Sequence, residues 1–174
     1  MLARPTPVDS QARARLRRRY LSLGVGELVA AAVFCLIAAL AIQPRLRGTE
    51  PSVFWVAFLP LILLLVQAGA YWLLARTWVG DGSMPASLAA VYRACRVLDV
   101  MVLVGSLLWL IVNFPGRLAV GALVIAVWSF ALVEYVNYFV VRLSYPLSQW
   151  ASRVGEWRTP RLVVDLSRSP RALR

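Results

Sequence analysis

Apolar residues fall into four long blocks along this chain, separated by short polar or turn-forming stretches. The first block, Tyr20–Ile42, has 23 residues. At about 1.5 Å of rise per residue a helix of that length crosses a hydrocarbon layer of about 30 Å. It is longer than the apolar core of a signal peptide, so it reads as a retained span. The second block is Val53–Ala75 and contains Pro60, where the pattern predicts a kink. The third is Val97–Phe114 and the fourth is Leu118–Val141, joined only by Pro115, Gly116 and Arg117, which forces an antiparallel hairpin.

The pattern therefore predicts an all-α four-helix transmembrane bundle over residues 20–142. A basic segment, 1–19, precedes it and a basic tail, 143–174, follows it. In the middle loop Asp81, Gly82 and Pro85 mark a turn, and Ser83 is a candidate helix cap. Leu88, Val91, Tyr92, Cys95 and Leu98 keep helical spacing, so the helix that starts there should run straight into the third span. In the tail, Leu147, Trp150, Ala151, Val154 and Trp157 share one face, with Ser148, Arg153, Glu156 and Arg158 largely outside it. That periodicity predicts a C-terminal amphipathic interfacial helix. Its apolar face either lies on an anionic leaflet or packs on the bundle. Thr159 and Pro160 end it, and a second short helix is expected around Leu162–Leu166.

Composition agrees with the pattern. Of the 174 residues 60% are hydrophobic, where a soluble domain has about half. The net charge is +11, carried entirely by arginine, with no lysine and no histidine. Because the arginines flank apolar spans, the expected partners are the bilayer and its anionic phospholipids rather than nucleic acid. The placement of arginine also orients the chain. If the N-terminus is cytoplasmic, 16 arginines lie inside and three, Arg45, Arg47 and Arg117, lie outside. Both termini are then cytoplasmic. The arginine-only usage, with abundant Ala, Val and Leu, suggests a bacterium, and hence its inner membrane. Tyr20, Trp55, Trp72, Trp78, Trp109 and Tyr145 fall where interfaces should lie, and Trp128 falls nearer mid-membrane. Cys35 and Cys95 should differ in depth by roughly 20 Å, which disfavours a disulfide.

Three acids lie inside spans: Glu27, Asp99 and Glu134. Each costs about 2.5–3.5 kcal/mol to insert, so each calls for an explanation. Glu134, Tyr138 and Arg142 are spaced i, i+4, i+8, and Asn137 lies three residues from Glu134, giving one polar stripe on the fourth helix. Gly24 and Gly26 would let a second helix approach Glu27. The expectation is a cytoplasmic-side cluster of Glu27, Asp99, Glu134, Asn137 and Tyr138, with Arg93, Arg96 and Arg142 as counter-ions. Two readings stand: ion pairs that fix helix register, or a site for a cation, a proton or a lipid headgroup. Gln67, Ser106 and Asn113 read as polar glue between helices, and Gly69 and Gly121 as close-packing points.

Several chemistries are argued down. Without histidine there is no imidazole base and no His-bound metal, and without lysine there is no P-loop or Ser–Lys nucleophile. No metal and no cofactor are expected. The run from Glu134 to Pro146, Glu-Tyr-Val-Asn-Tyr-Phe-Val-Val-Arg-Leu-Ser-Tyr-Pro, resembles one in a group of small four-span bacterial membrane proteins without an assigned activity. That resemblance implies the four-span layout and a basic tail, and nothing about activity. Small multidrug transporters also have four spans and a first-span Glu; only Glu27 matches, and the long basic tail departs from them. The functional expectation is a non-enzymatic small transporter or accessory membrane subunit, alone or self-associated. The alternative is an enzyme acting on a lipid headgroup. For the orientation, a phosphatase that is active only outside the cytoplasm should be active when fused after Arg47 or Arg117 and inactive after Arg76; the reverse pattern refutes it.

Overall fold

The computed structural model describes residues 7–79, 82–141 and 159–169, and the described residues are helices and short connections without a strand. Helix α1 spans Pro7–Ile37 and continues through a π-helical turn, Ala38–Ile42, and a 3-10 turn, Gln43–Arg45. Helix α2 spans Glu50–Ala75, α3 Ala86–Val112, α4 Leu118–Phe139, and a short α5 Arg161–Arg168. The first four are long and apolar enough to cross a membrane. The interfacial helix expected over 147–157, and Arg142, lie outside the described residues.

The first three helices run longer than their apolar blocks, for local reasons, while α4 ends two residues short of its block. Arginine is a strong helix former, and no glycine interrupts the chain before Gly24, so the basic segment is helical from Pro7 and continuous with the first span. It is not a separate unit. Arg17 Nε fixes it to the start of the middle loop by donating to the Arg76 carbonyl at 3.1 Å. Helix α2 starts three residues before its apolar block, with Pro51 in its first turn, where a missing N–H costs nothing. It continues through Pro60 as one helix. Helix α3 begins at Ala86 and runs into the third span as the spacing predicts. The cap position belongs to Pro85, however, and no side chain caps it, so Ser83 does not play that part. Asn113 also differs from expectation. Its amide bonds the Trp109 carbonyl at 3.0 Å, closing the end of its own helix instead of joining two.

Helix α2 is the centre of the bundle and packs against α1, α3 and α4. More than half of its apolar stretch (56%) is buried, against 11% for α1 and 22% each for α3 and α4. The outer three helices thus keep broad apolar faces, such as Val29, Leu36, Met101, Ile111 and Ile125, turned away from the protein. Where α1 crosses α2, the backbones nearly touch. A Cβ on Gly24 would sit 3.0 Å from the Gly69 carbonyl, and one on Gly69 would sit 2.8 Å from Leu28 and 3.1 Å from the Gly24 carbonyl. Gly26 has no neighbour within 4 Å of such a Cβ and takes no part in the crossing. Gly121 makes room for the Phe114 ring at the turn into α4. Between α3 and α4, Trp128 Nε1 donates to the Leu103 carbonyl (3.2 Å) and to Ser106 Oγ (3.1 Å). Cys35 and Cys95 are free thiols, both half-buried.

At the end of the bundle opposite α5, Glu50 is buried and ties the two hairpins together. Its Oε2 pairs with Arg117 at 2.8 Å and accepts the Arg47 backbone N–H at 2.8 Å, while Arg117 also reaches the Arg45 carbonyl at 3.3 Å. Overfilling the α1–α2 crossing should cost about 1–3 kcal/mol. Gly69→Val should therefore lower the thermal midpoint of the detergent-solubilised protein, while Gly26→Ala leaves it unchanged. Equal effects would contradict the crossing.

Candidate functional site

Polar side chains collect in one layer toward the α5 end of the bundle, in three groups. The first joins α1 to α4. Glu27 lies one turn beyond the Gly24 crossing, and the Tyr138 hydroxyl donates to Glu27 Oε1. The Trp72 indole lies beside that hydroxyl. Glu134 lies one turn along α4 from Tyr138, within electrostatic reach of Glu27, and hydrogen-bonds Asn137. Both acids and Asn137 are half-buried. The stripe read from the i, i+3, i+4 spacing therefore faces α1, which is what a carboxylate inside a hydrocarbon layer requires.

The second group joins α2 to α3. Gln67 Nε2 donates to Asp99 Oδ1 at 2.8 Å, and the Tyr92 hydroxyl donates to the Gln67 carbonyl at 3.1 Å. Asp99 is 2% exposed. It shares no hydrogen bond with the other two acids, and Gln67 and Tyr138, the partners of Asp99 and Glu27, border one small void.

The arginines assigned as counter-ions also do something else. Among the described residues no ion pair joins Arg93 or Arg96 to Glu27, Asp99 or Glu134. Arg93 Nη2 donates to the Leu166 carbonyl at 3.0 Å. Arg96 lines, with Arg93, Val97, Val163, Ser167 and Ser169, an open groove of 640 Å³ between α3 and α5. The physical reason is reach. A guanidinium on a long stem near a helix end extends toward the polar boundary, where keeping its hydration costs less than pairing inside. The reading of register-fixing ion pairs therefore fails for these two arginines.

The third group was not anticipated. Helix α5 lies against the α5 ends of α3 and α4 and inserts Asp165, itself 5% exposed, among aromatic donors. Asp165 Oδ2 accepts from the Tyr71 hydroxyl (2.8 Å) and from Trp78 Nε1 (3.2 Å), and Oδ1 pairs with Arg161 at 3.1 Å. Leu162 fills the space between α2, α3 and α4, leaving a void of only 10 Å³ beside Gln67, Tyr92 and Tyr138, room for about one water. Ser169 Oγ donates to the Met84 carbonyl at 3.0 Å. A local signal existed: Leu162, Asp165, Leu166 and Ser169 form the inward stripe of α5, so an acid sits in the middle of an apolar face.

The layer can hold protons or hydrogen-bonded groups, and the groove can hold an anion. Among the described residues no cluster has the ligand set of a metal site. No family model matches the chain, and neither does any curated protein or solved structure. Removing the Asp165 carboxylate forfeits hydrogen bonds to a charged group, about 1.5–3 kcal/mol. Asp165→Ala should then raise the undocked population of α5 roughly 10- to 100-fold. Trypsin cleavage after Arg161 and Arg168 reports it, and an unchanged cleavage rate would show that Asp165 does not hold the helix down.

Proposed function

We propose that the protein is a non-enzymatic accessory subunit of the bacterial inner membrane, with both termini in the cytoplasm. Its role is to bind a second membrane protein or a second copy of itself through the seam between α1 and α4. One observation carries this reading: Glu27, Glu134 and Asn137 remain half-buried at membrane depth. A carboxylate partly open to hydrocarbon costs up to about 2.5–3.5 kcal/mol, and a donor from a neighbouring helix would offset that cost. The alternative of a small transporter has less support, because α5 and Leu162 close the α5 end of the bundle down to a 10 Å³ void. In this reading Arg93 and Arg96 line a groove for the phosphate of an anionic phospholipid, which places the subunit against the inner leaflet. The headgroup-enzyme alternative gains a place to bind a lipid, with the Ser167 and Ser169 hydroxyls on its wall but no acid or other base in its lining among the described residues.

A photocrosslinker placed at Val133, exposed next to Glu134 on α4, tests the seam in native membranes. The expected result is one protein adduct of discrete mass, weakened at least severalfold by Glu134→Leu. Adducts with lipid alone would overturn the proposal, as would a saturable cation flux in vesicles that Glu27→Gln abolishes.

A further inference from the structure

The Gln67–Asp99 pair leaves an unusual residue of unmet bonding. Gln67 Nε2 donates to Asp99 Oδ1 at 2.8 Å, yet the other oxygen of each group, Asp99 Oδ2 and Gln67 Oε1, is buried without a hydrogen-bond partner. Both free oxygens of one hydrogen-bonded pair therefore lack a donor, at a residue 2% exposed inside a membrane-length helix. An orphaned buried acceptor is destabilising, and a buried carboxylate charge more so.

Among the described residues, no strong donor near the pair is placed to resolve this. On α3, the Tyr92 hydroxyl already donates to the Gln67 backbone carbonyl. Cys95, one turn from Asp99, is a weak thiol donor. Arg96 opens to the groove against α5. From α4 the nearest titratable group is Tyr138, whose hydroxyl is committed to Glu27, and α5 contributes only the apolar Leu162 to the adjoining void. A carboxylic acid and a primary amide have the complementary groups: the acid O–H meets the amide oxygen as the amide N–H meets the acid carbonyl. One proton would satisfy both orphans and remove the charge.

We infer that Asp99 and Gln67 form a proton-binding site in which Asp99 carries a proton on Oδ2 and donates it to Gln67 Oε1. The proton comes from water and returns to water; no other bond changes. Bound, it closes a two-bond ring between α2 and α3. Released, it leaves both acceptors without a donor at the same helix interface, so the site couples proton occupancy to the fit of α3 on α2.

Infrared spectroscopy of the full chain in lipid nanodiscs reads this directly. The expected result at neutral pH is a protonated-carboxyl C=O band that moves on exchange into D2O and is lost in Asp99→Asn. Gln67→Leu should shift that band to the higher frequency of an unbonded carbonyl. Asn can reproduce the neutral two-bond ring, so Asp99→Asn should fold and keep the wild-type thermal midpoint. A spectrum unchanged by Asp99→Asn overturns the assignment, and so does a midpoint that collapses in this variant. A wild-type midpoint that rises with added sodium or calcium, and no longer does so in Asp99→Asn, would make the site a cation site and overturn the proton.

Discussion

Helices α1 and α2 touch backbone to backbone at Gly24 and Gly69, and the rest of the arrangement depends on that contact. Between helices in lipid there is no hydrophobic reward for association, because the acyl chains are as apolar as leucine; close packing and polar contacts must supply it. Two glycines at one crossing supply the closeness. The crossing also sets the Tyr20 ring 5.0 Å from Trp72 and places Glu27 where α4 can reach it with Tyr138. With α1 fixed on one side, α2 has its remaining faces free for α3 and α4, which explains why it alone is mostly buried.

Once the helices are held, the chemistry of the polar layer follows a single preference for neutral partners. Tyr138 serves Glu27, Gln67 serves Asp99, and Tyr71 with Trp78 serves Asp165. Arginine is confined to the two ends of the bundle, where the ion pairs among the described residues also lie: Arg117 with Glu50 and Arg161 with Asp165. Pairing an acid with an arginine mid-membrane strips water from two ions, whereas a phenol or an amide brings its own dipole at a smaller desolvation cost. The aromatic groups thus act as hydrogen-bond donors as well as packing volume.

How legible this was in the sequence depended on the range of the interaction. The four spans, the turn at Pro115–Arg117 and the i, i+3, i+4 stripe of α4 are periodic or local, and periodicity carries them. Gly24 and Gly69 could be marked as close-packing candidates, but Gly26 could not be separated from Gly24, since which face of α1 meets α2 is a tertiary fact. Arg93 and Arg96 misled for a similar reason. They stand six and three residues before Asp99 and invite pairing, yet α3 turns Asp99 toward Gln67 while the long side chains extend to α5. Asp165 was missed because its partners, Tyr71 and Trp78, are about ninety residues away along the chain.

The Glu50–Arg117 contact at the far end has a consequence for how the chain is made. Its two residues are 67 positions apart and belong to different hairpins. During synthesis α1 and α2 enter the membrane as a unit long before Arg117 exists, so Glu50 must wait unpaired, held at first by its own neighbour's Arg47 N–H. Arg117 then has to arrive with the turn between α3 and α4, at the same end of the bundle, before it can reach that carboxylate. The contact works as a record that both hairpins have inserted fully and in the same sense, because a second hairpin stopped short or turned over would leave Glu50 without its cation.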